Sequence, residues 1–189
     1  MHPILLRIAK TAILSRFDAT LELDKKNLLL QHPFLNEKGA AFVTLNYETK
    51  LRGCIGTIIP HQTLLEDIIQ NALSAAFSDP RFSPLNADEF DGLTLEVSVL
   101  TPPSALEYSD YEDLKSKIEP HKDGLILKYG SYQGTFLPQV WEQLPSPHLF
   151  LEHLSYKANA NPTIYENHPD IFVYQVEAIK EDFNAILSL

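Results

Sequence analysis

Two strand-like runs joined by a four-residue polar segment limit the folds open to this chain more than any other feature. Ala41 to Leu45 (AFVTL) is rich in strand formers, and a second extended run covers roughly Lys50 to Ile59. Asn46-Tyr47-Glu48-Thr49 between them supplies turn chemistry. A connection this short returns the chain antiparallel, so the pair reads as a β-hairpin. Gly124 to Tyr129 and Gln133 to Leu137, across Gly130-Ser131, read as a second hairpin. Between the hairpins, Leu93 to Leu100 (LTLEVSVL) alternates cleanly. Leu93, Leu95, Val97 and Val99 share one face, and Thr94, Glu96 and Ser98 share the other. Pro102-Pro103 ends that run, and Asp170 to Val176 reads as a last strand leading into an acidic segment.

Helices are inserted among these strands at irregular intervals. Residues 4–13 place Ile4, Ile8 and Ala12 along one side, with Leu5, Ala9 and Ile13 beside them, which predicts a core-facing helix. Its charges are few and mixed, unlike a membrane-surface helix. Leu21 to Pro33 reads as a loose connector. Thr63 caps a helix with a broad apolar stripe, from Leu64 through Ala76, that stops near Ser78-Asp79-Pro80. Ser109-x-x-Glu112 has the pattern of a capping box, and Ser146-Pro147 opens a helix through about Ala158. The strand–helix alternation of a doubly wound parallel sheet is absent. The expectation is therefore an α+β fold: a mainly antiparallel sheet of about five or six strands with packed helices. At 189 residues, and with no linker or repeat, residues 1–189 read as a single domain.

The charge balance narrows the partners. Lys and Arg number 15 against 25 Asp and Glu, a formal net of −10, and no basic run occurs. Such a surface repels phosphate backbones and anionic lipid at long range, so neither nucleic acid nor membrane is expected as a partner. Cys54 is the single cysteine. An intrachain disulfide is impossible, a cysteine-rich zinc site is excluded, and a reducing cytoplasm is the natural setting. The amino-terminal apolar stretch is too short to span a membrane and has no small-residue cleavage site after it. No metal or cofactor motif is present: there is no HExxH, Walker loop, dinucleotide-binding glycine fingerprint or G-x-S-x-G elbow.

The segment with most chemical content is Leu51-Arg52-Gly53-Cys54-Ile55-Gly56. If extended, it sets Arg52, Cys54 and Gly56 on one face. Two glycines weaken a strand, so each needs a reason, such as a bulge or the close approach of a ligand or another backbone. A guanidinium beside a thiol favours the reactive thiolate, or it holds an anionic substrate in its fork of donors. The plainer reading makes Cys54 a small buried hydrophobe and gives Arg52 a carboxylate partner. Seven histidines are available as a base, and sequence alone nominates none of them.

LRGCIG resembles the signature of the AMMECR-type domain, found also as protein A of the AmmeMemoRadiSam system. GAAFVTL precedes it, and SAAFSDPRFSPL, LTLEVSVLTPP, DGLILKYG, TFLPQVW and FLEHLSYKAN follow in the family's order. Ser155 stands where many relatives carry cysteine, which weakens a two-cysteine redox or metal site here, and Ala160 stands at a usual glycine. The resemblance implies a two-lobed α+β protein with the RGCIG motif near a cleft. It names no reaction. It implies association with a Memo-like protein and a radical S-adenosylmethionine enzyme as partners.

Four further residues bear on the candidate set. Arg81, in Asp79-Pro80-Arg81-Phe82, is either surface charge in a capped turn or a second anion-binding group beside Arg52. Glu96, on the polar face of its strand, is either solvated or the partner of Arg52. His153 and Lys157 share one helix face and read as solvated. Two functions follow. In the first, preferred because no complete catalytic set is visible, the chain is a noncatalytic binding or accessory module. In the second it is an enzyme, or an enzyme subunit, that holds a small anionic substrate. Cys54 is then the nucleophile, and Arg52, Gly53, Gly56, Arg81 and Glu96 form the ligand- or partner-binding surface.

Overall fold

The computed structural model describes residues 2–189. The chain divides into two compact units: one runs as far as Leu100 and includes Glu177–Leu189, and the other is Thr101–Val176. The class is α+β, and every described strand pairing within the units is antiparallel.

In the first unit, strands β1 (Ala40–Tyr47), β2 (Lys50–Gly56) and β3 (Leu93–Leu100) form a sheet with β1 in the middle. Helices α1 (Ile4–Leu14) and α3 (Leu64–Phe77) cover one face; α2 (Lys25–Gln31) lies between them in sequence. The alternation read from sequence places Leu95 and Val97 of β3 on the covered face, where Ala41, Val43 and Leu45 of β1 join them, each fully buried. They meet Ile8, Ala12, Leu65, Ile68 and Ala72 in one cluster. Thr63 caps α3 by accepting from Glu66 N–H at 3.3 Å, as its position before the apolar run predicts.

Three local expectations are revised. The stretch expected to be a loose connector contains α2, because Asp24 accepts from Asn27 N–H at 3.0 Å and nucleates a turn that buries Leu28. β2 ends at Gly56 rather than Ile59, although Thr57 N–H still donates to Ala41 O at 3.0 Å. The polar segment after β1 closes as a two-residue turn, Glu48-Thr49, with both residues left-handed at φ 46° and 71°.

In the second unit, β5 (Asp123–Tyr129) and β6 (Tyr132–Phe136) make the predicted hairpin, with Gly130 at φ 57° in its turn. β7 (Asp170–Asp182) is longer than expected, and its leading residues pair with β5 on one edge and with the two-residue β4 (Ser104–Ala105) on the other. Helices α4 (Tyr111–Lys117) and α5 (Pro147–Lys157) complete the unit. Asp110, not Ser109, caps α4, accepting from Asp113 N–H at 2.9 Å; a carboxylate is the stronger acceptor at a positive helix end. Ser146 caps α5 as expected. The core centres on Trp141, stacked on Phe150 at 3.8 Å, with its Nε1–H donated to Asp123 O at 2.7 Å.

Candidate functional site

β2 is an edge strand, so the outward N–H and C=O of its residues need partners that no further strand supplies. At Cys54 they come from Asp79 and Arg81, just beyond α3. Cys54 N–H donates to Asp79 Oδ2 at 2.9 Å, and Cys54 O accepts from Arg81 Nη2 at 3.2 Å. Asp79 also accepts from Arg81: its backbone N–H at 3.1 Å, Nε at 2.9 Å and Nη2 at 2.7 Å. The carboxylate and guanidinium thus clamp the outward N–H and C=O of one residue along the open edge of β2. Hydrogen bonds from Arg81 hold the Asp79 carboxyl well below the ordinary carboxylate range, against the opposing effect of burial, with the Cys54 N–H adding to them. Asp79 raises the Arg81 guanidinium in return.

Arg52 lies where the β1–β2 register slips: Leu45 pairs with Gly53 and Asn46 with Leu51, leaving Arg52 as the extra residue. The bulge interrupts the simple period of two and sends Arg52 to Glu89. Nη2 donates to Oε2 at 2.9 Å, Nε donates to Oε1, and Pro84 O accepts from Nη2 at 3.4 Å. Glu89 Oε2 also accepts from Asn86 N–H at 2.9 Å, closing a capping box on the turn that contains it. Arg52 hydrogen bonds lower the Glu89 carboxyl, and Glu89 raises Arg52. Side-chain exposure separates the two arginines: 12% for Arg52 and 23% for Glu89, against 53% for Arg81 over a 2% exposed Asp79. Phe82 joins the pairs, its ring centroid 5.9 Å from Arg52 Cζ and 5.4 Å from Arg81 Cζ.

The space at the two glycines is already filled. A Cβ on Gly53 would stand 2.1 Å from the Ala75 carbonyl oxygen of α3, and one on Gly56 would stand 2.2 Å from the Phe42 ring, its cross-strand partner. Close backbone packing and an aromatic ring, rather than open room, answer the question these residues raised.

Cys54 is half-buried, and its Sγ is 3.2 Å from the Thr44 hydroxyl. Cys54, Thr44 and Glu96 form one cross-strand row, since Thr44 is the register partner of both. Glu96 accepts from the Ser98 hydroxyl at 3.1 Å and does not partner Arg52, because the row places it beside Thr44 while the bulge turns Arg52 toward Glu89. Among the described residues, the hydrogen-bond partner of Sγ is a hydroxyl, not a histidine or carboxylate. The structure therefore brings Arg52, Cys54 and Arg81 together around Asp79, Glu89 and Phe82, with Glu96 in the same row as Cys54. His153 and Lys157 are exposed on α5, and Ser155 is buried with its hydroxyl donated to Glu152 O at 2.6 Å.

Two groups escaped the sequence reading. Glu89 carried a usable signal, because Asn86-x-x-Glu89 is a capping pattern, but nothing local tied it to Arg52. The second is a buried network around Asp67 of α3. Its carboxylate accepts from Ala41 N–H at 2.8 Å, the Thr57 hydroxyl at 2.7 Å, Gln62 Nε2 at 3.1 Å and Asn71 Nδ2 at 3.0 Å. Its two oxygens accept two hydrogen bonds each, so it fastens α3 to the ends of β1 and β2. Among the described residues no group of three or more His, Cys, Asp or Glu side chains is arranged to hold a metal ion.

Comparison with known proteins gives consistent matches over most of the chain. A family model described as AMMECR1 matches residues 6–179. A Thermococcus gammatolerans protein is 42% identical over 156 residues, covering 77% of this chain and 73% of its own length. Protein MK0488 of Methanopyrus kandleri is 35% identical over 188 residues, covering 94% and 87%. The solved structure of protein PH0010 from Pyrococcus horikoshii superposes with a TM-score of 0.76 at 36% identity, over 95% of this chain and 90% of that one.

Proposed function

The chain belongs to the AMMECR1 family, and from that premise we propose that it is a noncatalytic binding or accessory module whose recognition surface is the braced β2 edge around Cys54 and Arg81. The observation that carries this reading is the clamp. Asp79 and Arg81 hold both the N–H and the C=O of Cys54 along the outer edge of β2, while the hydrogen-bond partner of its sulfur among the described residues is a hydroxyl, which cannot take its proton at neutral pH. Such a segment is positioned but not activated. Both arginines are paired with a carboxylate, and Arg81 is the more exposed of the two, so its guanidinium is the one accessible to a partner. A Memo-like protein and a radical S-adenosylmethionine enzyme are the partners the LRGCIG resemblance suggests, with Arg81 contacting an acidic group on one of them.

Calorimetric titration of the Memo-like protein into this chain tests the proposal. Arg81→Ala weakens binding about tenfold or more, the cost of one interfacial charge pair, while Cys54→Ser leaves it intact. No binding to either partner, or binding indifferent to Arg81, overturns it. The enzyme reading draws support from the half-exposure of Cys54 beside Arg81. Rapid alkylation of native Cys54 by iodoacetamide at neutral pH would favour that reading; the accessory reading expects slow alkylation until the chain unfolds.

A further inference from the structure

A second constellation lies in the Thr101–Val176 unit, well away in sequence from the Cys54 segment. Tyr111 at the start of α4 and Tyr165, in the turn after α5, line a groove of about 430 Å³ together with Asp110, His148, Glu166 and His168. That volume falls among small-ligand sites, roughly 300–1,000 Å³. The two tyrosine rings are 5.2 Å apart and tilted by 41°.

The hydroxyls are taken up elsewhere. Tyr165 O–H donates to Leu151 O at 2.6 Å, and Tyr111 O–H meets His148 Nδ1 at 3.2 Å. His168 is likewise committed: its ring stacks on Tyr108 at 4.2 Å and its Nε2 lies 2.8 Å from Tyr108 O. What remains for a ligand is ring surface, mainly of the half-buried Tyr111 with the buried Tyr165 behind it, and the exposed carboxylates of Asp110 and Glu166 at the rim. Among the described residues neither Asp110 nor Glu166 is in an ion pair.

The protein already contains one example of what such a surface attracts. Lys115 Nζ sits 4.9 Å from the Tyr111 ring centroid while pairing with Glu112 at 2.8 Å. Lys115 does not line the groove. Burial first, then the negative charges of Glu152 and Glu112, hold the Tyr111 phenol above its ordinary value.

We propose that this groove binds an aliphatic organic cation, an ammonium or guanidinium, with its alkyl stem against Tyr111 and Tyr165 and its charge answered by Asp110 and Glu166. Aromatic faces attract the cation and shield its stem, and the rim carboxylates select for positive charge. The rim carboxylates disfavour an anion there. The inference does not depend on the reading of the Cys54 surface.

Calorimetry at about pH 8 and low ionic strength tests it, because exposed charge pairs are screened by salt. The probes are n-butylammonium, butylguanidinium and the peptide acetyl-Gly-Lys-Gly-amide, with the norleucine peptide as the neutral control. Tyr111→Leu keeps the apolar wall and removes the π face; Glu166→Gln removes one rim charge at an exposed position. The expected result is saturable binding of a cation, about tenfold weaker in each variant and absent for norleucine. Binding of the free amines points to a small-molecule ligand, and binding of the lysine peptide alone points to a basic protein segment; both support the site. Equal binding of the norleucine peptide overturns it. So does cation binding unchanged in both variants, or none by about 10 mM, a level weaker than about 3 kcal/mol of binding free energy.

Discussion

Gly53→Ala discriminates between the two reasons a glycine can occupy β2. The added methyl would stand 2.1 Å from the Ala75 carbonyl oxygen, and the next nearest atoms are also Ala75 backbone, at 3.1 and 3.7 Å. Ala75 lies within α3, whose backbone is fixed by helical hydrogen bonds and by the Asp67 network. None of these three nearest atoms belongs to a flexible side chain. Relief therefore requires moving β2 away from α3, which opens a gap beside Ile68 and Ala72. Overpacking of this kind costs about 3 kcal/mol or somewhat more. At Gly56 the obstacle is the Phe42 ring at 2.2 Å, a side chain that can turn aside, so Gly56→Ala should cost less, about 1–2 kcal/mol. Gly130→Ala is the control: no atom lies within 4 Å, and the φ of 57° alone costs about 1 kcal/mol. Urea unfolding followed by far-ultraviolet circular dichroism measures all three, with the midpoint and slope compared for each. The expected order of destabilisation is Gly53, then Gly56, then Gly130. A Gly53→Ala protein of wild-type stability that had lost binding would refute the packing argument, because it would show that the missing side chain serves a ligand.

The Asp79 clamp predicts a pH dependence. Its carboxyl is lowered in the folded state, so the stabilisation it provides is fully present above the unfolded value near 3.9 and is lost as pH falls through the lower folded value. Asp79→Asn should lose this component, flattening stability against pH below about 4 in urea titrations. Arg52→Ala should cost about 2 kcal/mol, below the 3–5 kcal/mol of a fully buried pair because Glu89 can rehydrate. A double-mutant cycle with Glu89→Gln should return a coupling of about 1 kcal/mol or more, and a value near zero would sink the pairing. Replacing Glu48-Thr49 by Asn-Gly should stabilise by about 1–2 kcal/mol, because both native residues sit in the left-handed region. A lower melting temperature in that variant would show the turn to be unstrained.

Most of the larger elements of this chain were legible in its sequence because short-range physics sets them, whereas α2 and the two-residue β4 were not. Alternation at Leu93 to Leu100 fixed which face of β3 is buried, Thr63 and Ser146 fixed where α3 and α5 begin, and the short polar segment after β1 fixed an antiparallel hairpin. Several partnerships were not legible. Arg52 finds Glu89, 37 residues away, rather than Glu96, because a bulge changes its direction. A bulge follows from how two strands settle against each other, and no single strand encodes it. Asp79 finds the Cys54 N–H 25 residues earlier because β2 lies at a sheet edge, and edge position is a property of topology. The glycines of LRGCIG announced a close approach but not by what. Only packing decided that Gly53 admits the α3 backbone and Gly56 the Phe42 ring. Periodicity is local, and so are caps such as Thr63 and Ser146, so the sequence determined them alone. Side-chain partners across tens of residues depend on where each element comes to rest, and the tertiary structure decided those.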